Sequence, residues 1–192
     1  MEQTQIHTFG WPIGVVLDRP DFEPKAYQDG IRAGILVDDK SQYDYWALRS
    51  DLVFFLLKTL FEDTRAEGKI FLDTRIVRTA ETFLRIRRLY GALGIPDGER
   101  VVVRIRYTGL RGRRLTAAHP ERAVPFEVLE RRVCVENEID TSIRERLGDL
   151  ESKLVDLVHT AVSELAVLFD YFEPSKAQVV QPIIEQFLKG QT

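Results

Sequence analysis

The sequence contains very little cysteine, with Cys134 as the one example among 192 residues. A single cysteine cannot form a disulfide within the chain, and it cannot supply the paired thiolates of a zinc or redox motif. Nothing in the sequence therefore requires an oxidising compartment, and we expect a cytoplasmic protein. Cys134 alternates with Val133 and Val135, which predicts a packed, inert thiol rather than a nucleophile.

Long apolar runs are also missing. The longest, residues 52–57, is far shorter than the roughly 20 residues that a membrane-spanning helix needs. The N-terminal residues lack the basic segment followed by an apolar stretch that marks a secretory signal. We therefore predict no membrane association.

The motifs of common cofactor and catalytic sites are absent from the sequence. Residues 109–112 (GLRG) lack the length and the Lys-Ser/Thr ending of a P-loop, and there is no dinucleotide fingerprint. The three histidines, His7, His119 and His159, have no His, Cys or carboxylate at ligand spacing. From these patterns we predict no cofactor, no metal site and no catalytic residue.

One set of carboxylates leaves a hydrolytic role open. Glu62, Asp63 and Asp73 frame a short predicted strand, and such carboxylates can hold a metal or share acid–base work. Turn polarity explains the first two, and helix capping explains Asp73. We favour this structural explanation and keep a carboxylate-dependent hydrolase or nuclease as a distant alternative.

Length and composition are those of a globular protein, at 44% hydrophobic and 30% charged residues. We predict a single mixed α/β domain over residues 1–192. Its parts are a mainly β region at 1–74, a helix with strands at 75–140 and a helical region at 141–192. The predicted fold class is α+β: a mainly antiparallel sheet, long helices packed on it and a C-terminal helical pair.

Hydrophobic periodicity places the individual elements. Strands are predicted at residues 12–17, 31–37, 43–49, 52–61, 70–72, 101–108 and 132–140, with 113–117 as a hairpin partner of 101–108. Residues 52–61 would also suit a helix that Ser50 caps. Helical spacing predicts helices at 74–93 and 147–169.

The ends of the helices have recognisable signals. Asp73 is a candidate N-terminal cap of the first helix and Gly94 its stop. Ser175 could cap a final helix, in which Pro182 predicts a kink or a late start. Residues 119–125, which contain two prolines, predict a loop.

The charge is distributed unevenly along a chain whose net charge is −3. Residues 75–132 contain 14 basic residues, every one an arginine, against six acidic residues, and both flanking regions are acidic. The use of arginine rather than lysine favours forked, bidentate contacts with carboxylate or phosphate. This arginine block carries the most functional content in the sequence.

The arginines divide into two groups on the predicted elements. Arg104 and Arg106 project from one side of a strand, as Glu136 and Glu138 do from another. If those strands are neighbours, the side chains would form a cross-strand ladder worth roughly 0.2–1 kcal/mol per pair. The second group has no obvious internal partner and forms our candidate nucleic-acid-binding or anion-binding surface: Arg85, Arg88, Arg111, Arg113 and Arg114.

Three short motifs carry a family resemblance. Residues 43–49 (YDYWALR), 60–63 (LFED) and 73–78 (DTRIVR) resemble the C-terminal region of bacterial proteins whose N-terminal part is a Schlafen/AlbA-type DNA-binding domain. The opening IHTFGWPIGVVLDRP and the later LGDLESKLVDLV fit the same resemblance. It implies an accessory or sensing module in an intracellular, regulatory setting, and it transfers no catalytic residue.

Taken together, these patterns favour a non-enzymatic accessory, sensing or regulatory binding module. We expect a protein partner or self-association, with the C-terminal helices as a candidate dimer interface. Internal or intersubunit pairing of the arginine block is narrowly favoured over an external anionic partner. The main alternative is a nucleic-acid-binding protein that uses the arginine-rich surface.

Overall fold

The computed structural model describes residues 4–6, 12–17, 19–37, 42–119 and 132–191. The fold class is α+β, as predicted. The chain divides into two compact units, residues 1–67 and 68–192, where the sequence predicted a single domain. None of the helices in the described ranges is long and apolar enough to cross a bilayer.

The first unit is built on a four-stranded antiparallel sheet in the order β1-β2-β3-β4. Its strands are β1 (Lys25–Tyr27), β2 (Gly30–Val37), β3 (Gln42–Arg49) and β4 (Phe54–Lys58). Trp46 of β3 is fully buried, and its indole N–H donates to the Val15 carbonyl oxygen at 2.8 Å. This bond ties residues 12–17 to the sheet, but they form a turn and irregular backbone rather than the predicted strand.

Residues 52–61, for which a strand and a helix were both considered, contain the strand β4. Leu52 has a φ of +66° in the turn after β3, and β4 then pairs with β3 through partners such as Phe54 with Leu48. The helix alternative for residues 52–61 is therefore wrong. A short 3₁₀ turn at Phe61–Thr64 follows β4.

The second unit contains the long helices and the remaining strands. Its elements are β5 (Lys69–Phe71), α1 (Leu72–Ala92), β6 (Arg100–Thr108), β7 (Arg114–Thr116), β8 (Glu138–Arg146), α2 (Asp149–Ser152), α3 (Leu154–Val167), a π-helical turn (Lys176–Val180) and α4 (Gln181–Leu188). The helices α2, α3 and α4 all contact α1, and α3 also packs on β8. Buried residues such as Phe83, Val158 and Ile184 form the core between them.

Two strand pairs complete this unit. β5 and β7 are parallel, whereas β6 and β8 are antiparallel along all nine residues of each. The predicted hairpin between residues 101–108 and 113–117 is therefore wrong. A turn with positive φ at Gly109 and Gly112 follows β6, and residues 114–116 pair with β5 instead.

The bounds of β8 also differ from the prediction of a strand at 132–140. Residues 132–137 are held to the turn after β6, where Gly112 N–H donates to Cys134 O and Leu110 N–H donates to Asn137 O. The regular ladder begins only at Glu138 and continues to Arg146. Alternation of apolar and polar residues did not predict the extension of β8 to Arg146, because two of its inward positions hold Thr141 and Glu145 rather than apolar residues.

The helices agree more closely with their predictions. α1 ends before Gly94, whose φ is +80°, but it begins at Leu72, so that Asp73 lies in its first turn rather than at its cap. The helix predicted at 147–169 is divided into α2 and α3. Ser175 caps the last helical segment as predicted, and Pro182 lies at the start of α4. The predicted loop at 119–125 lies outside the described residues except for its first residue.

Candidate functional site

The structure separates the five arginines that the sequence grouped as one binding surface. Arg85 is fully buried on α1, so the prediction is wrong for this residue: it cannot reach a macromolecular ligand. The pKa of Arg85 is lowered to about 10, chiefly because the side chain is buried; the charge of Glu81 opposes this shift and the charge of Arg88 adds to it. Arg88 itself is exposed.

The face of α1 opposite its apolar stripe is largely covered, although Arg88 near its C-terminal end is exposed. Glu81 is fully buried there, and Arg78 Nη1 lies 2.6 Å from its Oε2 atom. Arg75 is 5% exposed, with its guanidinium carbon 5.9 Å from the centre of the Tyr107 ring. Buried charges need partners of this kind, so these arginines are structural.

The arginines after β6 support a turn. Arg113 Nε donates to the Gly109 carbonyl oxygen at 2.7 Å, and Arg111 Nε donates to the Val135 carbonyl oxygen at 3.2 Å. Arg114 is exposed at the start of β7, and its side chain forms no hydrogen bond or ion pair with another described residue. The candidate surface thus reduces to exposed Arg88, Arg111 and Arg114, with Arg113 half-buried.

A second arginine-rich surface lies on the antiparallel pair of β6 and β8, which we call the ribbon. The register places five pairs on its outer face: Arg100 with Arg146, Val102 with Arg144, Arg104 with Ser142, Arg106 with Asp140, and Thr108 with Glu138. All ten residues are exposed, whereas Val103 and Ile143 on the opposite face are buried. This alternation follows from the period of two along a strand.

One end of the outer face is neutralised by its own carboxylates. Arg106 Nη2 lies 2.8 Å from both carboxylate oxygens of Glu138, and Arg104 Nε lies 3.6 Å from Asp140 Oδ1. The Glu138 hydrogen bonds raise the pKa of Arg106. Cross-strand pairing of Arg104 and Arg106 with acidic residues is therefore confirmed, although Asp140 takes the place that the sequence gave to Glu136.

The other end of the outer face is cationic. Arg100 lies directly opposite Arg146, and Arg144 is two residues away on the same face of β8. We call these three residues the cationic end, and none of them forms an ion pair within 4 Å with any residue that the structure describes. Like charges directly opposite each other destabilise an antiparallel pair.

Asp149, in the first turn of α2, interacts electrostatically with Arg146 of the cationic end. Its pKa is lowered chiefly by a hydrogen bond from Lys153 and, to a lesser degree, by the charge of Arg146. Lys153 Nζ lies 3.0 Å from Asp149 Oδ2 and also 3.0 Å from Glu145 Oε2. Both carboxylates therefore already have a cationic partner, and Arg146 is left exposed beside them.

Sequence reasoning missed the cationic end entirely. Arg144 and Arg146 follow residue 140, where the predicted strand ended, and Arg100 precedes residue 101, where another began. The available signal was the spacing of two residues between Arg144 and Arg146 together with inward Ile139 and Ile143. That signal indicates a strand with an arginine-bearing outer face.

Of the three carboxylates considered for hydrolysis, Glu62 is fully buried, and Asp63 and Asp73 accept hydrogen bonds from the backbone. Asp73 is buried, and its oxygens accept hydrogen bonds from the N–H groups of Thr74, Ala118 and His119 at 2.8, 2.9 and 3.1 Å. Asp63 accepts the Leu60 N–H at 3.1 Å in the 3₁₀ turn. Across the described residues, no group of three or more His, Cys, Asp and Glu side chains is placed to hold a metal ion.

The single cysteine and a helix histidine are also accounted for by packing. Cys134 is buried, its thiol donates to the Glu136 carbonyl oxygen at 3.3 Å, and burial raises its pKa. A ring nitrogen of His159 lies 3.1 Å from the Pro174 carbonyl oxygen. A raised thiol pKa disfavours the nucleophilic thiolate, as the sequence predicted.

A small groove of about 180 Å³ lies among the helices of the second unit, lined by residues that include Leu84, Lys153 and Ile184. This volume is below the roughly 300–1,000 Å³ that is typical of small-molecule sites. The groove therefore offers a weaker candidate than the ribbon.

Comparison of the chain with protein-family models, with curated proteins and with solved structures finds no match. The function must therefore be argued from the residues themselves. The feature that most needs a chemical explanation is the cationic end of the ribbon, because the fold places its positive charges together on an exposed face.

Proposed function

We propose that this chain is a non-enzymatic binding module whose ligand is a nucleic acid, held on the outer face of the ribbon. The observation that supports the proposal most is the cationic end. Arg100 and Arg146 face each other across the ribbon without an ion-pair partner among the described residues. An anionic ligand would replace this repulsion with attraction.

The arrangement of the charges favours a chain of phosphates over a single small anion. Residues two apart along a strand are separated by roughly 6.6–6.8 Å, so Arg144 and Arg146 present two distinct sites rather than one pocket. Arg100 adds a third from the neighbouring strand. Each guanidinium can form two parallel hydrogen bonds with one phosphate, which lysine cannot do.

The exposed arginines after β6 extend the same chemistry. Arg111 and Arg114 lie just beyond the Thr108–Glu138 end of the ribbon in sequence and carry no carboxylate partner among described residues. We assign them a secondary contribution, since the guanidinium of Arg111 already donates to a backbone carbonyl. The protein partner or self-association that the sequence favours remains a prediction, and sedimentation of the chain alone would test the self-association.

The proposal is tested by fluorescence anisotropy of the full chain with labelled duplex DNA, single-stranded DNA and RNA at about 50 mM salt. We expect binding to weaken steeply with salt. The triple variant R100Q/R144Q/R146Q should reduce the slope of log K against log salt on duplex DNA by about 0.9 for every phosphate contact that it removes. Glutamine preserves a polar side chain at each exposed position, so circular dichroism should be unchanged.

A matched control separates a local site from net charge. The variant R19Q/R65Q/K189Q also removes three exposed cations, but none of them belongs to the ribbon. We expect it to keep nearly all of the wild-type affinity. The proposal would be overturned by wild-type protein that binds no nucleic acid at about 50 mM salt, or by equal losses in the two triple variants.

A further inference from the structure

The dimensions of the ribbon restrict the form of nucleic acid that can receive it. Each strand has nine residues, which at 3.3–3.4 Å per residue gives a length of about 30 Å. Among the described residues, no third strand pairs with the ribbon, and its two strands are about 4.8 Å apart. The major groove of B-form DNA is about 12 Å wide and admits a two-stranded ribbon.

The chemistry of the outer face disfavours single strands and RNA duplexes. Single-strand binders stack bases on aromatic side chains, and none of the ten outward residues of the ribbon is aromatic. Tyr107, the one aromatic residue on either strand, lies in the alternate, inward set. An A-form RNA duplex has a deep, narrow major groove that side chains cannot read.

The middle of the cationic half contains an exposed apolar residue, which a purely phosphate-binding surface would not need. Val102 is 60% exposed and lies between Arg100 and Arg104 on the outer face, directly opposite Arg144. In the major groove, arginine forms a bidentate pair with O6 and N7 of guanine, and apolar groups contact the methyl group of thymine. Val102 and Arg144 therefore match the two kinds of base-edge contact that this groove offers.

On the basis of the proposed function, we infer that the ligand is B-form duplex DNA and that the ribbon enters its major groove. Val102 and Arg144 meet the base edges, while Arg100 and Arg146 at the adjoining cross-strand pair contact the backbone phosphates. The inner face of the ribbon is buried, and α3 packs on β8. The surface therefore reads sequence as well as charge.

The first experiment compares the full chain on duplex DNA, duplex RNA of the same sequence and single-stranded DNA at one salt concentration. We expect at least tenfold tighter binding to duplex DNA. Equal affinity for all three would overturn the inference about DNA while leaving the proposed nucleic-acid binding intact. Failure to bind any of them would remove the proposed function itself.

The second experiment removes single groups from the major groove of the duplex. Replacing guanine by 7-deazaguanine deletes the N7 acceptor, and replacing thymine by deoxyuridine deletes the methyl group. We expect each change to weaken wild-type binding several-fold, in keeping with the roughly 1–3 kcal/mol of a good base contact. The variant R144Q should no longer respond to 7-deazaguanine, and V102S should no longer respond to deoxyuridine.

The variants provide their own control, because each should lose sensitivity to one modification and keep sensitivity to the other. A wild-type protein that binds the modified and unmodified duplexes equally would overturn the placement in the major groove. The same conclusion would follow if R144Q and V102S kept the wild-type response to both modifications.

Discussion

The arginines of α1 and those of the ribbon lie in the same unit but in opposite environments. Arg85 is fully buried and Arg78 is paired at 2.6 Å with the buried carboxylate of Glu81. Arg100 and Arg146 are exposed, and each faces the other rather than a carboxylate. The two arginines of α1 are therefore part of the packed structure, whereas the two arginines of the ribbon are accessible to a ligand.

The comparison shows that the abundance of arginine does not by itself identify a binding surface. A buried guanidinium loses its hydration and is stable only with compensating partners, so removing a partner is costly. An exposed guanidinium keeps its hydration, so its partners contribute little to stability. Burial and cross-strand register therefore decide which arginines stabilise the protein and which can bind a ligand.

The largest effect is expected from Glu81→Gln. This change removes the negative charge beside Arg78 and Arg85 while preserving the size of the side chain. We expect the free energy of unfolding to fall by about 3–5 kcal/mol, the usual cost of leaving a buried charge without its partner. Urea denaturation measures it, with exposed Glu151→Gln as the control, and a loss below about 1 kcal/mol would contradict the structural role assigned to these arginines.

A much smaller effect on stability is expected from R100Q/R144Q/R146Q. Because this variant removes cross-strand repulsion, the free energy of unfolding should stay the same or rise by up to about 1 kcal/mol at low salt. The difference should shrink at high salt, where exposed charges are screened. Thermal and urea denaturation at both salt concentrations would check this, and marked destabilisation would show that the cationic end has a structural partner.

The smallest effect is expected from Lys153→Met, which tests a cation that is exposed yet paired. The pKa of Glu145 is lowered most by a hydrogen bond from the backbone N–H of Arg146 and next by a hydrogen bond from Lys153. Lys153 also lowers the pKa of Asp149. A lowered folded-state pKa stabilises the fold above the ordinary values of 4.5 and 3.8 and loses this contribution as the pH falls through the folded values. The wild type should thus be slightly more stable than the variant at pH 7, and their urea midpoints should converge below pH 3.8. A constant difference at all pH values would contradict the pairing.

Local patterns predicted the elements whose signals are contained within a few residues. The apolar spacing of α1, the alternation of β3 and the β-branched run in β6 each produced an element within two residues of its prediction. The same reasoning failed for the partner of residues 114–116. The glycine-containing turn at residues 109–112 is compatible with a hairpin, in which these residues pair with β6, and also with a chain direction that lets them pair with β5. Strand pairing depends on distant residues, which a local pattern does not specify.

The candidate site was only partly predictable for a related reason. The exposed position of Arg111 and Arg114 follows from a turn, and the acidic pairing of Arg104 and Arg106 follows from alternation. The burial of Arg85 depends on which other residues pack against the charged face of α1. The sequence of that face is rich in charged residues, so it predicts exposure to solvent instead. The cationic end depends on a register that brings residue 100 opposite residue 146, which no nearby sequence signal encodes.

The parallel pairing of β5 with β7 has a consequence for how the second unit folds. Lys69 pairs with Arg114 only after the intervening chain, which includes all of α1 and β6, has turned back on itself. Contacts between such distant residues require closure of a long loop, and they form late when nucleation is local. We therefore expect α1 to be ordered in the folding transition state and the β5–β7 pair to form after it. In that case a variant that weakens α1, such as Glu81→Gln, would slow folding, whereas one that weakens β7 would mainly speed unfolding.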